Sequence, residues 1–202
     1  LPPDTPASVT VEFNANAASL PEGTHSATVY FTNLTDGTGD TTREVALSIG
    51  NASKRYEWTL DTDPGWSCEG LWQYGVPTGG GGAYGNPDPT SGHTGDNVYG
   101  YNLNGDYMNG MTEMHLTSGA VDCSSLGAVS LKFWRWLGVE QPQYDHAYVR
   151  VSSNGTDWVT VWENTVEITD SGWTQVELDI SAVAHGQEMV YLRWTMGTTD
   201  GG

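Results

Sequence analysis

The chain has 202 residues, with 25 Asp and Glu against 7 Lys and Arg, and therefore a formal net charge of −18 at pH 7. Binding to a nucleic-acid backbone requires clustered cations, so this charge argues against a nucleic-acid partner. No apolar stretch approaches the roughly 18 residues that a membrane-spanning helix needs, which argues against membrane insertion. Val, Thr, Trp and Tyr are abundant and long helix-forming stretches are missing, so the composition favours an all-β fold.

The first fifty residues contain three short runs in which apolar and polar residues alternate, at 9–13, 27–31 and 45–49. Alternation with a period of two predicts strands, and the turn-rich stretch 36–40 predicts that the last two runs form a hairpin. Three strands are too few to enclose a core, so residues 1–50 are predicted to be part of a sandwich. A short linker is predicted at 51–55.

The second segment, residues 56–202, has more alternating runs separated by turn residues. Strands are predicted at 56–60, 97–103, 128–137, 147–152, 158–163, 173–179 and 189–195. A long irregular stretch at 61–95 contains four consecutive glycines, and loops of this length are usually functional or held by internal contacts. One helical turn is expected at 181–185. Short strands with turns between them indicate an antiparallel sandwich or jelly roll.

Three of the predicted strands place cations and aromatic rings opposite the side that supplies the core. We predict that these residues share one face that binds a ligand: Lys132, Trp134, Trp136, Tyr148, Arg150, Tyr191 and Arg193. Aromatic rings flanked by polar groups hold sugar rings or partner peptides. The alternative is that the 61–95 loop or a neighbouring domain covers the face while the cations pair with acids.

Two turn-like stretches offer oxygen ligands at alternate positions, as calcium sites often do. The candidate ligands are Asp61, Asp63, Asn102, Asn104 and Asp106. A bound Ca²⁺ would be structural. The alternative is that these side chains only cap turns.

The two cysteines, Cys68 and Cys123, are predicted to form a disulfide, because the composition suits an extracellular protein and oxidation is favoured there. The alternatives are two buried thiols, or pairing of one of them with a cysteine beyond residue 202.

No motif of a known catalytic type occurs, and the five histidines lack metal-ligand spacing. Glu140 and Asp145 resemble a glycosidase pair in spacing, but a solvated loop is the favoured interpretation. The turn at 153–157 predicts a hairpin, with Trp158 packing back into the core. The chain is therefore predicted not to be an enzyme.

The second segment carries a series of motifs in a fixed order. They are Asp63-Pro-Gly-Trp66, Gly75–Gly81, Asn86–Gly92, Val98–Tyr107, Leu131–Trp136, Tyr144-Asp145 and Gly172–Val176. This series resembles the MAM-like jelly-roll accessory domain found beside immune inhibitor A-type metallopeptidases and in large secreted bacterial proteins. The family's closing Trp-x-Ile-Asp-Asp strand is not present, so we expect the last strand to be missing. Residues 18–29 resemble the C-terminal half of a bacterial immunoglobulin-like repeat.

These resemblances imply an all-β protein: an antiparallel jelly-roll or concanavalin-like sandwich, preceded by a partial immunoglobulin-like sandwich. They imply a non-catalytic extracellular or cell-surface binding module of a larger secreted protein. A glycan or cell-surface protein and the flanking domains of the parent chain would be its partners. The alternative is a structural spacer or scaffold in an adhesin, fibre or secreted peptidase.

Overall fold

A computed structural model describes residues 10–21, 23–50, 53, 55–83 and 85–201. The chain divides into two compact units, Leu1–Lys54 and Arg55–Gly202. Most of the predicted linker at 51–55 lies outside the described residues.

The described part of the first unit is built around one long β-hairpin. A 3-10 helix at Ala15–Ser19 precedes strand β1 (Gly23–Phe31), which pairs antiparallel with β2 (Thr41–Ile49). The predicted hairpin is thus confirmed. The strand predicted at 9–13 does not form over its described residues, since Val11 and Phe13 lie outside any strand with 53% and 59% exposure. Val9 lies outside the described residues.

The second unit contains eleven short strands and one helical turn among its described residues. The strands are β3 (Ser67–Cys68), β4 (Trp72–Gly75), β5 (Val98–Tyr101), β6 (Met114–Thr117), β7 (Ser130–Arg135), β8 (Gly138–Val139), β9 (Ala147–Ser152), β10 (Val159–Glu163), β11 (Ile168–Thr169), β12 (Thr174–Asp179) and β13 (Tyr191–Met196). Helix α1 (Ser181–Ala184) lies where a helical turn was predicted. No helix in the described part of the chain has the length and apolar character to cross a bilayer.

All strand pairs are antiparallel, so the predicted all-β antiparallel fold is confirmed. One layer of the second unit is a five-stranded sheet in the order β10-β9-β13-β6-β3. The remaining strands pair as β12 with β7, β11 with β8, and β4 with β5. The prediction of a strand at 56–60 is wrong, because these residues adopt no strand.

The core lies between the five-stranded sheet and the β7–β12 pair. Val149 and Val151 of β9 and Leu192 of β13 form one buried cluster with Leu131 of β7. Each is less than a tenth exposed, and burying an aliphatic side chain of this size contributes about 1.5–3 kcal/mol. The intervening residues of the same strands therefore face outward, as the alternation predicts.

A break in the second layer is bridged by an ion pair. The stretch 130–139 pairs with 168–179 as β7–β12 and β8–β11, and the ladder is interrupted between the two pairs. At the break, the Asp170 carboxylate accepts hydrogen bonds from Arg135 Nε at 2.9 Å and from the backbone N–H of Leu137 at 3.0 Å. The side chains of Arg135 and Asp170 are only 19% and 11% exposed, so each charge is compensated where solvent is largely excluded.

The prediction that residues 61–95 are irregular is wrong in part, because this long loop contains β3 and β4. Trp66 holds the start of the loop against the core. Its ring stacks between Tyr99 and Trp194, with centroids 5.1 and 5.4 Å away and interplanar angles of 1° and 11°. Trp194 in turn meets Phe133 edge-on at 5.6 Å. The backbone N–H of Trp66 also donates to the Tyr99 hydroxyl at 2.9 Å. One indole thus couples the loop, β5 and the five-stranded sheet.

We predict that Trp66→Ala lowers the free energy of unfolding by about 3 kcal/mol, because it removes a large ring from a three-ring stack. Denaturant unfolding measures this loss. Trp134→Ala removes the same side chain from a position that is 41% exposed, and it should cost only about 1 kcal/mol. Equal losses for the two variants would contradict the coupling role of Trp66.

Candidate functional site

The seven predicted ligand residues lie on two outer faces instead of one. Lys132 and Trp134 belong to β7, which pairs with β12 in the second layer. Tyr148 and Arg150 of β9, and Tyr191 and Arg193 of β13, belong to the five-stranded sheet. Since the core separates the two layers, side chains that point away from it emerge on opposite sides. The prediction of one shared face is therefore wrong.

The β7–β12 face is partly occupied by its own neighbours. Lys132 pairs with Glu177, which is directly opposite on β12, at 3.2 Å. His93, from the 61–95 loop, stacks on the Trp134 ring with 3.7 Å between centroids and 10° between planes. Trp136 is half-buried and meets Trp173 edge-on at 5.8 Å. The loop thus covers one side of Trp134, as the alternative interpretation expects, although 41% of Trp134 stays exposed.

On the five-stranded sheet, Arg150 and Arg193 are direct cross-strand neighbours. Arg150 donates from both terminal nitrogens to the Glu113 carboxylate, at 2.6 and 2.7 Å, and lies over the Tyr148 ring at 4.3 Å. These bonds lower the pKa of Glu113 and raise that of Arg150. Glu113 thereby neutralises one of two adjacent like charges.

Arg193 is held by an aromatic ring and a hydroxyl instead. Its guanidinium carbon lies 3.7 Å from the centroid of the Trp158 ring, and its Nε donates to Thr117 Oγ1 at 3.0 Å. Trp158 therefore lies on the outer face, and the prediction that it packs into the core is wrong. The neighbouring Trp162 packs against the core instead, because a bulge between Thr160 and Trp162 shifts the register.

The hairpin turn before Trp158 explains why that ring reaches Arg193. The Asn154 side chain accepts hydrogen bonds from the backbone N–H groups of Thr156 and Asp157, at 2.9 and 2.8 Å. Gly155 adopts a φ of 78°, a left-handed conformation that favours glycine. The Asn-Gly pair thus fixes the turn that joins β9 to β10 and places Trp158 over β13.

Four of the five predicted calcium ligands already have other side-chain partners, and only the Asn104 side chain has none among the described residues. Asp61 accepts a hydrogen bond from the Thr59 hydroxyl at 2.8 Å. The Asp106 carboxylate accepts the Gly82 N–H at 2.8 Å, and the Asn102 amide donates to the Asp106 carbonyl at 2.6 Å. Asp63 accepts from the Gly65 N–H at 2.8 Å and from the Tyr99 hydroxyl at 2.5 Å. These contacts fit the turn-capping alternative. A Cβ on Gly81 would lie 2.6 Å from Asp106 Oδ1, so the glycines allow the loop to close around this carboxylate.

Three other carboxylates do converge within the described residues. Single oxygens of Glu140, Asp145 and Asp200 lie within 4.8 Å of one another. Asp145 is 4% exposed, so the expectation that both acids of the 140/145 pair are solvated is wrong for Asp145. It accepts from the Tyr107 hydroxyl and, at 3.1 Å, from the Asp200 N–H. Desolvation and the neighbouring carboxylates raise the pKa of Glu140.

A shallow depression of about 350 Å³ lies beside this cluster. Its lining residues are Gln141, Pro142, Gln143, Thr165, Val166 and Glu167. They include no aromatic ring against which a sugar could stack, and no nucleophile paired with a base. The depression therefore provides no support for the glycosidase interpretation of Glu140 and Asp145.

The predicted disulfide is not formed, and both cysteines are free. Cys68 is exposed on β3 at the edge of the five-stranded sheet, whereas Cys123 is 2% exposed within the core cluster. One thiol faces solvent and the other packs among apolar side chains. Burial raises the pKa of the Cys123 thiol, which further lowers its reactivity.

The chain is similar in part to a known protein in sequence and to solved structures in fold. The chain is 32% identical over 133 residues to Bacillopeptidase F of Bacillus subtilis (strain 168), and the match covers 63% of this chain but 8% of that protein. A chain from the study "Structural basis for the promiscuous specificity of the carbohydrate-binding modules from the beta-sandwich super family" aligns with a TM-score of 0.42 and 11% identity. That alignment covers 90% of this chain and 70% of the other. No family model matches the chain.

Sequence reasoning missed several residues that form these surfaces. Glu113 and Asp200 lie outside any predicted strand, and His93 lies in the long loop, so alternation gives no signal for them. Strand β6, Met114–Thr117, carried an overlooked signal, since the apolar Met114 and Leu116 alternate with the polar His115 and Thr117.

Burial and the nearby Asp106 raise the pKa of Asp88 to about 6. We therefore predict that ionisation of Asp88 lowers the stability of the folded protein. An acid with a raised folded-state pKa binds protons more tightly in the folded state, so stability falls as pH rises from about 4 to about 6. Asp88→Asn should therefore raise the melting temperature at pH 7 and leave it unchanged near pH 4. Asp96→Asn, an exposed control in the same loop, should show no such pH dependence. If the melting temperatures of the wild type and Asp88→Asn differed by the same amount at every pH from 4 to 7, the prediction would be contradicted.

Proposed function

We propose that this chain is a non-catalytic, extracellular binding module of a larger secreted protein, and that it attaches that protein to glycans or cell surfaces. Residues 56–202 are the binding module, of the MAM-like jelly-roll type, and residues 1–50 are part of an immunoglobulin-like domain. The similarity to Bacillopeptidase F supports a place within a longer peptidase-related chain. Because the match covers 8% of that relative, its peptidase activity is not transferred to this module.

The observation that supports binding best is the outer face of the five-stranded sheet. Arg193 and Trp158 form a polar and aromatic pair there, and Tyr191 flanks them on β13. Glycan sites combine an aromatic platform with a few oriented hydrogen-bond donors, and this face offers both. The β7–β12 face is a weaker candidate, because His93 and Glu177 already occupy Trp134 and Lys132.

A spacer or scaffold role is the second candidate. Lys132, Arg135 and Arg150 each pair with a carboxylate of the same unit, which is the arrangement expected when cations serve the fold. In that case the module binds no ligand and only holds neighbouring domains apart.

We propose that Ca²⁺ binds at the Glu140, Asp145 and Asp200 cluster and has a structural role there. Hard divalent cations prefer carboxylate and carbonyl oxygens, and single oxygens of these three acids lie within 4.8 Å of one another. The cation would join the loop at 140–145 to the segment after β13, which contains Asp200.

We predict that Trp158→Ala weakens binding to a glycan or cell-wall panel by about tenfold or more, because it removes the platform beneath Arg193. Trp134→Ala is the matched control on the opposite face and should leave binding unchanged. Array and pull-down measurements with the whole chain test this, with melting curves to confirm that both variants fold. Loss with Trp134→Ala alone would move the site to the β7–β12 face, and an absence of binding by the wild type would favour the spacer.

We predict that Ca²⁺ at a hundredfold excess over its dissociation constant stabilises the wild type by about 2.7 kcal/mol relative to EDTA. Glu140→Gln removes one of the mutually repelling carboxylate charges that raise the Glu140 pKa, so it should be more stable than the wild type in EDTA but gain less from Ca²⁺. Glu167→Gln, a nearby exposed acid outside the cluster, should keep the full gain. Calorimetry measures all three, and equal gains for wild type and Glu140→Gln would contradict the proposed ligand set.

A further inference from the structure

Arg193 differs from its neighbouring cations in having no carboxylate partner. Lys132, Arg135 and Arg150 pair with acids at 3.2, 2.9 and 2.6 Å. Across the described ranges, no carboxylate lies within ion-pair distance of Arg193, although 25 acids occur in the chain. In so acidic a protein, a half-buried guanidinium without a counterion is unusual.

The part of Arg193 that recognises anions is unengaged. Its Nε donates to Thr117, and its plane rests on Trp158, but its two terminal nitrogens make no hydrogen bond to any residue that the structure describes. These nitrogens form the planar fork that matches the two oxygens of a carboxylate. Trp158 fixes the plane of the fork, so little conformational freedom is lost when an anion binds.

The adjacent arginine shows how this face accommodates a carboxylate. Arg150, directly across from Arg193, receives the Glu113 carboxylate on both terminal nitrogens, at 2.6 and 2.7 Å. Arg150, at the paired position on the next strand, therefore already makes the bidentate contact with a carboxylate that Arg193 does not make. A carboxylate from a ligand would give Arg193 the same compensation.

The electrostatic surroundings favour such a ligand. Burial lowers the pKa of Arg193, and so does the adjacent Arg150, whereas Glu69 and Glu113 act in the opposite direction. The net effect is a charge that is incompletely compensated by the protein. The Thr160 hydroxyl, beside Arg150 on β10, adds a polar group that can bond to sugar hydroxyls.

We propose that Arg193 binds the carboxylate of an acidic glycan, with Trp158 orienting the guanidinium and the hydroxyls nearby contacting the sugar. This inference rests on the proposed glycan-binding function of the same face. It names the ligand class, which is a uronic or sialic acid residue in preference to a neutral sugar.

Paired ligands test this: oligogalacturonate and sialyllactose, each against its carboxyl-reduced counterpart, titrated into the whole chain. The wild type should bind the acidic member of a pair more tightly, and raised salt should weaken that preference.

Arg193→Gln should lose about tenfold or more in affinity for the acidic member and little for the neutral one. Arg193→Lys keeps the charge but loses the fork, so an intermediate affinity is expected. Lys132→Gln removes a cation from the opposite face and should change nothing.

The possible outcomes distinguish carboxylate recognition by Arg193 from the broader glycan-binding function. Equal binding of acidic and neutral members by the wild type, or an unchanged acidic affinity in Arg193→Gln, would overturn the carboxylate inference and leave the glycan-binding function in place. Binding of polyglutamate without any acidic glycan would overturn both and point to a protein partner. Binding of no probe would remove the proposed function and this inference with it. Melting curves establish that Arg193→Gln and Arg193→Lys remain folded.

Discussion

The burial of alternate residues on β9 and β13 determines most of the second unit. Val149, Val151 and Leu192 must pack against β7 and β12, because these aliphatic side chains supply much of the core. Strand geometry then forces Arg150 and Arg193 to the opposite side of the sheet, where they become cross-strand neighbours. The position of this outer face is thus a consequence of core packing, and it cannot change without moving the core residues as well.

The few cations of this acidic chain differ in the groups that they contact. Arg135 bridges an interrupted ladder through Asp170, and Arg150 is compensated by Glu113 on the sheet surface. Both are structural contacts, since each satisfies a partly desolvated carboxylate. Arg193 has an aromatic ring in place of an acid, and cation–π contact stabilises the charge without neutralising it. That difference in partner distinguishes Arg193, whose terminal nitrogens make no hydrogen bond to a described residue, from Arg135 and Arg150, which pair with acids.

The long irregular loop is ordered by a few contacts with large effect. Trp66 inserts between Tyr99 and Trp194, and the Asp106 carboxylate binds backbone N–H groups of the glycine-rich turn at Gly82. Further along, His93 stacks on Trp134. Each contact satisfies backbone groups or packs an aromatic ring where this stretch has little regular secondary structure beyond β3 and β4. The loop is thereby a covering element of the sandwich as well as a connection.

The sequence by itself determined the all-β antiparallel class, the strands β9, β10, β12 and β13 within a residue or two, and which side of β9 and β13 faces the core. These follow from local alternation and turn residues, which act over a few positions. Only the tertiary structure decided that Trp134 and Arg193 emerge on opposite layers, because alternation fixes the side of a strand but not the sheet to which it belongs. It also decided that Asp145 meets Asp200 and that Cys68 and Cys123 stay apart, since these distances depend on how remote segments pack.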